Sequence, residues 1–268
     1  MKILFKKKYG QHILKNTNII RKIITTINPK HSNYFIEIGP GLGALTIPMT
    51  YYNTNITLIE IDYRFVTFLK KHHILKNLSI NIIHNNVFNI DYAILSKKKH
   101  KKIRIFGSLP YNISTQLLFF LLQYKKYIKD MNFIMQKEVI QCLTAKPGEK
   151  NYGCLSIMVQ LHYQIQSLFE IQTNAFYPIP KVMSGMIHLK PYLTKYYDCN
   201  NIIMFQKIIK QAFSMRRKIL RNSLKNLFTI EDLNQLGIDY KMRAENVSIK
   251  EYCQLSAVLE SNYKKGRV

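Results

Sequence analysis

Carboxylates are scarce in this chain: 15 Asp plus Glu stand against 40 Lys plus Arg over 268 residues, a formal net charge of +25 at pH 7. A field of that sign attracts polyanions. Each basic side chain that meets a phosphate releases condensed counterions, so nucleic acid, bound in a salt-sensitive way, is the expected partner. A merely solvated basic surface and an anionic membrane are the alternatives that charge leaves open. Some of the lysines accompany an abundance of Ile, Asn, Tyr and Phe, the pattern that A+T-rich coding gives. Cysteine is scarce as well. Cys142, Cys154, Cys199 and Cys253 lie far apart and form no C-x-x-C pair or Cys/His cluster, which argues against a disulfide framework and against zinc; no metal is expected. Long apolar runs are missing too. Ile3-Leu4-Phe5 behind a basic start is too short for a signal-peptide core, and nothing approaches the roughly 18 residues of a membrane span. A cytoplasmic, reduced setting without a membrane partner is the expectation.

Core-forming material is plentiful, with 47% hydrophobic and 12% aromatic residues, enough for one large domain and a smaller appendage. Short β-like runs at 34–38, 56–61, 80–84, 103–108 and 131–136 alternate with helical ones at 44–51, 64–72 and 115–124, as an α/β sheet covered on both faces requires. Pro178, Pro180 and Pro191, followed by a polar stretch at 194–201, end the alternation, so the domains are expected at 1–192 and 193–268. The second reads as small and all-helical, with helices at 202–215 and 217–227 and a last one opened by a capping box between Ser248 and Glu251; Thr229 and Asp232 form a weaker box. The lysine-rich segment 97–102 reads as a solvated loop. No heptad seam or exposed apolar strand announces self-association, so a monomer is expected.

Two segments carry chemistry. Glu37-Ile38-Gly39-Pro40-Gly41-Leu42-Gly43 follows the first predicted strand and precedes a helix, the place where backbone N–H groups meet a nucleotide-like ligand and glycine permits close approach. Glu60 ends the next strand, where a carboxylate can accept hydrogen bonds from both hydroxyls of a ribose. A nicotinamide dehydrogenase shares these features. The G-x-G-x-G spacing, with Glu37 placed to face a positively charged methionine end, favours S-adenosylmethionine instead.

The second segment, Ser108-Leu109-Pro110-Tyr111, ends the fourth predicted strand beside that loop. It resembles the (Asn/Asp/Ser)-x-Pro-(Tyr/Phe) signature of enzymes that methylate exocyclic amino groups of bases. An adenine N6 lone pair is delocalised into its ring, so such a site must hold the amino group by acceptors and present it to the sulfonium methyl. In that reading the Ser108 hydroxyl and the Leu109 carbonyl accept the two amino protons, Pro110 fixes the turn and Tyr111 stacks on the extruded base.

Taken with Tyr9-Gly10-Gln11-His12-Ile13-Leu14, the SLPYNIST run at 108–115, Gln136-Lys137-Glu138-Val139, FYPIPKV at 176–182, RRKILRNSL at 216–224 and RAENVS at 243–248, these motifs resemble the KsgA family of small-subunit (16S) ribosomal RNA adenine-N6,N6-dimethyltransferases over nearly the whole chain. The resemblance implies a class I S-adenosylmethionine-dependent methyltransferase fold, Rossmann-like with a mostly parallel seven-stranded sheet, plus a small helical C-terminal domain. It implies dimethylation of two adjacent adenosines near the 3′ end of 16S rRNA within an immature small ribosomal subunit. It also assigns His12 and Leu14 to closure over the cofactor, Gly39 and Gly41 to close approach, Glu60 to the ribose, Asn86 to the cofactor adenine and Phe176 to the other wall of the base pocket. Arg216, Arg217, Lys218 and Arg221, within a turn or so of one helix, would meet rRNA phosphates together with Arg243. Related enzymes that methylate large-subunit rRNA share the glycine loop and the Tyr111 motif; RRKILRNSL and RAENVS favour the small-subunit branch.

His12 stands where that family usually has Asn, Asn86 where it has Asp, Ser108 where it has Asn, and Met183 where it has Asp. Asn86 and Ser108 keep an acceptor, so weakened binding rather than loss is expected. Two other readings compete: a ribosome-assembly factor that binds the subunit but methylates poorly, and a peripheral membrane protein, for which no basic amphipathic terminal helix speaks.

Overall fold

The computed structural model describes residues 11–78, 80–215 and 217–264. The chain divides into two compact units, one formed by Met1–Ile140 with Gln164–Pro191, the other by Gln141–Tyr163 with Tyr192–Val268. The sequence-based boundary after residue 192 thus meets a second crossing point: 141–163, which the alternating pattern assigned to the first part, clusters with the C-terminal helices.

In the first unit a two-residue strand, β1 (Ile13–Leu14), leads to α1 (Thr17–Ile27). The helix starts where the Asn16 side chain accepts the Ile19 N–H and ends at Asn28 in the left-handed conformation, which Asn tolerates. Its Ile- and Thr-rich sequence disguised it, but Ile23, Ile24 and Ile27 make one buried face, and burial of that face outweighs weak helix propensity. Then follow in chain order β2 (Tyr34–Ile38), α2 (Thr46–Thr50), β3 (Asn55–Glu60), α3 (Tyr63–Lys71), α4 (His73–Lys76), β4 (Asn81–His84), α5 (Tyr92–Lys99), β5 (Ile103–Ser108), α6 (Ser114–Leu122), β6 (Ile128–Gln136), α7 (Lys137–Thr144), α8 (Cys154–Gln160), β7 (Tyr163–Ile171), β8 (Phe176–Tyr177) and β9 (Ser184–Pro191), of which α8 and the end of α7 belong to the second unit. Lys97, Lys98 and Lys99 therefore close a helix rather than float in a loop; cations there face the negative end of its dipole.

The main sheet has the order β4-β3-β2-β5-β6-β9-β7, parallel from β4 to β6, with β9 antiparallel to β6. Such a parallel core must be covered on both faces, and β2 is buried at every residue. The chain leaves β2 towards β3 on one side and returns through β5 on the other, so the carboxyl ends of β2, β3 and β5 surround the switch point where α/β sheets bind ligands. At the opposite end Arg104 of β5 pairs with Asp130 at 2.8 Å and donates to the Ile27 carbonyl, tying the last turn of α1 to the sheet. β1 pairs antiparallel with β8, placing Leu14 opposite Phe176.

The second unit has its own core, in which Phe205, Ile208 and Ala212 of α9 (Ile202–Ser214) pack with Leu255 and Leu259 of α12 (Ile249–Lys264). Both capping boxes form: Ser248 and Glu251 exchange bonds of 2.7 and 3.2 Å, and Thr229 and Asp232 open α11 (Ile230–Gln235). The helix expected at 217–227 shrinks to α10 (Leu220–Ser223). The N–H groups of Leu220 and Arg221 bond the Met242 and Tyr240 carbonyls, and Ile219 bridges Arg243, so the backbone there is committed to a neighbouring segment instead of to its own preceding turn. Among the described residues no helix is long and apolar enough to cross a membrane.

Candidate active site

The glycine loop leaves β2 at the switch point. Gly39 and Gly41 have φ of 67° and 54°, the left-handed region that glycine enters without a Cβ penalty, and the Gly39 N–H donates to the Ile59 carbonyl of β3 at 3.0 Å. A Cβ on Gly41 would stand 2.7 Å from Ile13 Cδ1, so the loop lies directly under β1. Around it opens a pocket that is partly open to solvent. Every residue expected to bind cofactor or base lines it: His12, Leu14, Glu37, Gly39, Gly41, Glu60, Asn86, Ser108, Leu109, Pro110, Tyr111 and Phe176.

Two buried carboxylates face this space. Both oxygens of Glu60 are held, one by the Gly41 N–H at 3.1 Å and the other by the Asp62 N–H at 2.8 Å, which fixes the side chain. Burial pushes the Glu60 carboxyl up, and those backbone donors pull it partly back. Asp62, which sequence reasoning passed over, caps α3 through the Arg64 N–H and receives Gln11 Nε2 at 2.9 Å, tying the segment before β1 to this helix. The Arg64 guanidinium holds the Asp62 carboxyl well below the usual carboxylate range.

Glu37 is almost fully buried and receives a hydrogen bond of 2.5 Å from Thr46 Oγ1 on α2. Desolvation raises its pKa from 4.5 to about 8, with Thr46 opposing the rise and Glu60 adding to it. At neutral pH this group is largely protonated, and a cationic ligand beside it favours its ionised form. The sign follows from linkage: binding then releases a proton, so affinity for a cationic ligand rises with pH until about 8 and is level above it. For folding the same shift makes Glu37 cost nothing below pH 4.5 and progressively more as pH rises towards 8. E37Q is expected to remove the part of the pH dependence of cationic-ligand affinity, and of the proton release, that Glu37 supplies; calorimetry in two buffers of different ionisation enthalpy checks both.

Ser108, half-buried, ends β5 facing the glycine loop, and a Cβ on Gly39 would come within 3.8 Å of its carbonyl oxygen. Leu109 is buried, its N–H bonded to the Ile134 carbonyl at 3.0 Å, and Pro110 begins the turn that the Ile113 N–H closes. Tyr111 is anchored at its far end by Ser184 Oγ, 2.8 Å from the phenol oxygen. Burial pushes the phenol up, so it remains a neutral hydroxyl. The His12 ring lies 6.0 Å from that of Tyr111 at 25° between planes, and His12 Nδ1 donates to the Pro178 carbonyl at 2.7 Å. The imidazole at this position therefore holds the loop after β8. Asn86 uses its side-chain oxygen to accept the Phe88 N–H, one of its two lone pairs. Thr46 supports the site from the end of the Glu37–Thr46 motif, while Asp62, Gly107 and Ser184 do so without a motif of their own, marked only by their spacing from Glu60, Ser108 and the proline loop.

The basic residues are arranged otherwise than expected. Arg217 and Lys218 lie in the connection between α9 and α10 and Arg221 lies on α10, so they do not share one helix; Arg216 falls outside the described residues. The Ile219–Arg243 bridge nevertheless brings Arg243 beside this connection, and Arg217, Lys218, Arg221 and Arg243 are all exposed. Among the described residues no group of three His, Cys, Asp or Glu is arranged to hold a metal ion.

A glycine loop at the switch point of this sheet, flanked by the buried Glu37 and Glu60 and facing the Ser108–Tyr111 turn, fits a class I S-adenosylmethionine-dependent methyltransferase, and the carboxylates and close-approach glycines suit that cofactor. The family model for ribosomal RNA adenine dimethylase matches residues 3–261. Ribosomal RNA small subunit methyltransferase A of Wigglesworthia glossinidia brevipalpis is 46% identical over 256 residues, covering 93% of this chain and 95% of that one. The protein of the same name from Buchnera aphidicola subsp. Acyrthosiphon pisum is 46% identical over 259 residues, covering 97% and 93%. This chain belongs to the ribosomal RNA adenine dimethylase family. The crystal structure of a dimethyladenosine transferase from Plasmodium falciparum superposes with a TM-score of 0.77 at 24% identity, covering 95% of this chain and 98% of that one, and that of the 23S rRNA methyltransferase ErmE with 0.72 at 18%, covering 92% and 99%; these likenesses concern the fold.

Proposed function

We propose that this enzyme transfers methyl groups from S-adenosylmethionine to N6 of two adjacent adenosines in the 3′-terminal hairpin loop of 16S rRNA, giving N6,N6-dimethyladenosine. The observation that carries the reading is the convergence of the Ser108–Tyr111 turn and Phe176 on the pocket of the glycine loop. When bound, the cofactor supplies an electrophilic methyl on a sulfonium. The chain's own residues do the rest. Glu60 receives the ribose hydroxyls, Asn86 meets the cofactor adenine, the ionised Glu37 faces the cationic end, and Leu14 and His12 cover the ligand. The target amino group is held by Ser108 Oγ and the Leu109 carbonyl, which turns the N6 lone pair towards the methyl, while Tyr111 and Phe176 wall the base. Catalysis of this kind is mainly orientation with exclusion of water, so no strong general base is needed.

The substrate is an immature small subunit, the enzyme a cytoplasmic monomer, and the second unit an rRNA-binding domain that uses Arg216, Arg217, Lys218, Arg221 and Arg243. Labelled-methyl transfer to small subunits lacking the modification, with primer extension across the 3′ hairpin, tests the reading: stops at two adjacent adenosines support it, and tight binding without transfer moves the protein to the assembly-factor reading. Arg217→Ala combined with Arg221→Ala should weaken subunit binding and reduce the slope of log K against log salt by about 2, since each lost phosphate contact removes roughly 0.9. An unchanged slope contradicts the assignment.

A further inference from the structure

We propose that the loop of residues 177–182 is a wedge that enters the rRNA beside the target adenosine, with Ile179 filling the stacking place the extruded base leaves. The inference rests on the function proposed above. Both ends of this loop are fixed in the base pocket. It begins at Phe176, which lines the pocket, and ends at Ser184, which anchors Tyr111. Midway, the Pro178 carbonyl accepts His12 Nδ1, and just before Ser184 the Met183 carbonyl accepts the Lys137 N–H at 2.9 Å. Pro178 and Pro180 restrict the backbone between these points.

A loop held so firmly would ordinarily turn its apolar side chains inward, yet Tyr177, Ile179 and Val182 are 58%, 62% and 43% exposed. Ile179 and Val182, exposed on the loop that follows the pocket residue Phe176, form an apolar surface of the kind that marks an interaction site. Lys181, exposed among them, adds one cation, and the loop carries no carboxylate. Apolar faces for bases with a cation for phosphate suit single-stranded RNA. An adenosine can reach Ser108 and Tyr111 only after leaving its stack, and an apolar side chain inserted at the vacated step offsets the lost stacking. Ile179, the most exposed of the three, is free to insert without disturbing the β1–β8 pairing.

The test uses small subunits reconstituted with 2-aminopurine at the first target position, with the full chain and S-adenosylmethionine, alongside methyl transfer to ordinary unmethylated subunits. Ile179→Ser should leave subunit affinity within about twofold but cut both the fluorescence rise and the saturating methylation rate about tenfold, because the apolar wedge at the vacated step is lost. Ile179→Leu should restore both. Undiminished turnover in Ile179→Ser, or slower turnover with the full fluorescence rise, overturns the wedge. A loss confined to subunit affinity also overturns it and marks the face as a protein contact. If wild-type enzyme transfers no methyl group, the function proposed above fails first; Tyr111→Ala with normal transfer would fault the base-pocket assignment independently of Ile179.

Discussion

Replacing Tyr111 by Ala is expected to lower methyl transfer by about 100-fold or more while leaving S-adenosylmethionine affinity and subunit binding nearly intact. The ring is held at its hydroxyl by Ser184 and flanked by His12, and it lies in the same turn as the Ser108 and Leu109 acceptors. Its loss removes a stacking surface worth roughly 1–3 kcal/mol and frees the base to rotate away from the methyl donor, which compounds the cost. Tyr111→Phe keeps the ring and drops only the Ser184 contact, so an intermediate loss is expected. Single-turnover transfer measured beside cofactor calorimetry separates these effects. Parallel losses of rate and subunit affinity would show that Tyr111 serves docking instead.

The second large effect belongs to a residue with no chemistry. A Cβ on Gly107 would stand 2.3 Å from the Ile38 carbonyl oxygen and close to Ile38 C and N, all backbone of the adjacent strand. No side-chain rotation relieves that clash. Gly107→Ala must push β5 away from β2 at the level where Ser108 faces Gly39, so it should cost about 1–3 kcal/mol of stability, as overpacking does. It should also weaken S-adenosylmethionine binding by about tenfold or more, because a shift of an ångström at the switch point disturbs both the glycine loop and the acceptor turn. Gly237→Ala is the control: it too has positive φ, at 70°, but no atom lies within 4 Å of the added Cβ, so it should cost roughly 1–2 kcal/mol of strain and leave cofactor affinity unchanged. Thermal melts of both variants with and without cofactor decide the matter. Equal behaviour would mean that backbone conformation, not strand spacing, is what Gly107 provides.

The sequence by itself determined what is local. Strands at 34–38 and 103–108 announce themselves because parallel strands buried on both faces are mostly apolar, broken here only by Glu37, Arg104 and the ending Gly107-Ser108, and the glycine loop because only glycine tolerates its backbone. The capping boxes at Ser248 and Thr229 were legible because cap and partner lie three residues apart. The Ser108–Tyr111 turn was legible as a motif, without its support. Tertiary structure alone decided the rest: that Ser184 anchors Tyr111 across 73 residues, that His12 holds the Pro178 carbonyl across 166, that Glu37 is buried deeply enough to hold its proton near neutral pH, and that residues 141–163 join the helical unit. It likewise took Arg217 and Lys218 off the expected helix, because Leu220 and Arg221 found backbone partners at Met242 and Tyr240. A periodicity or a cap is enforced by neighbours along the chain and is therefore written in their order. A desolvated carboxylate or a cross-strand anchor depends on which strands pair, and that choice is made by the whole sheet at once.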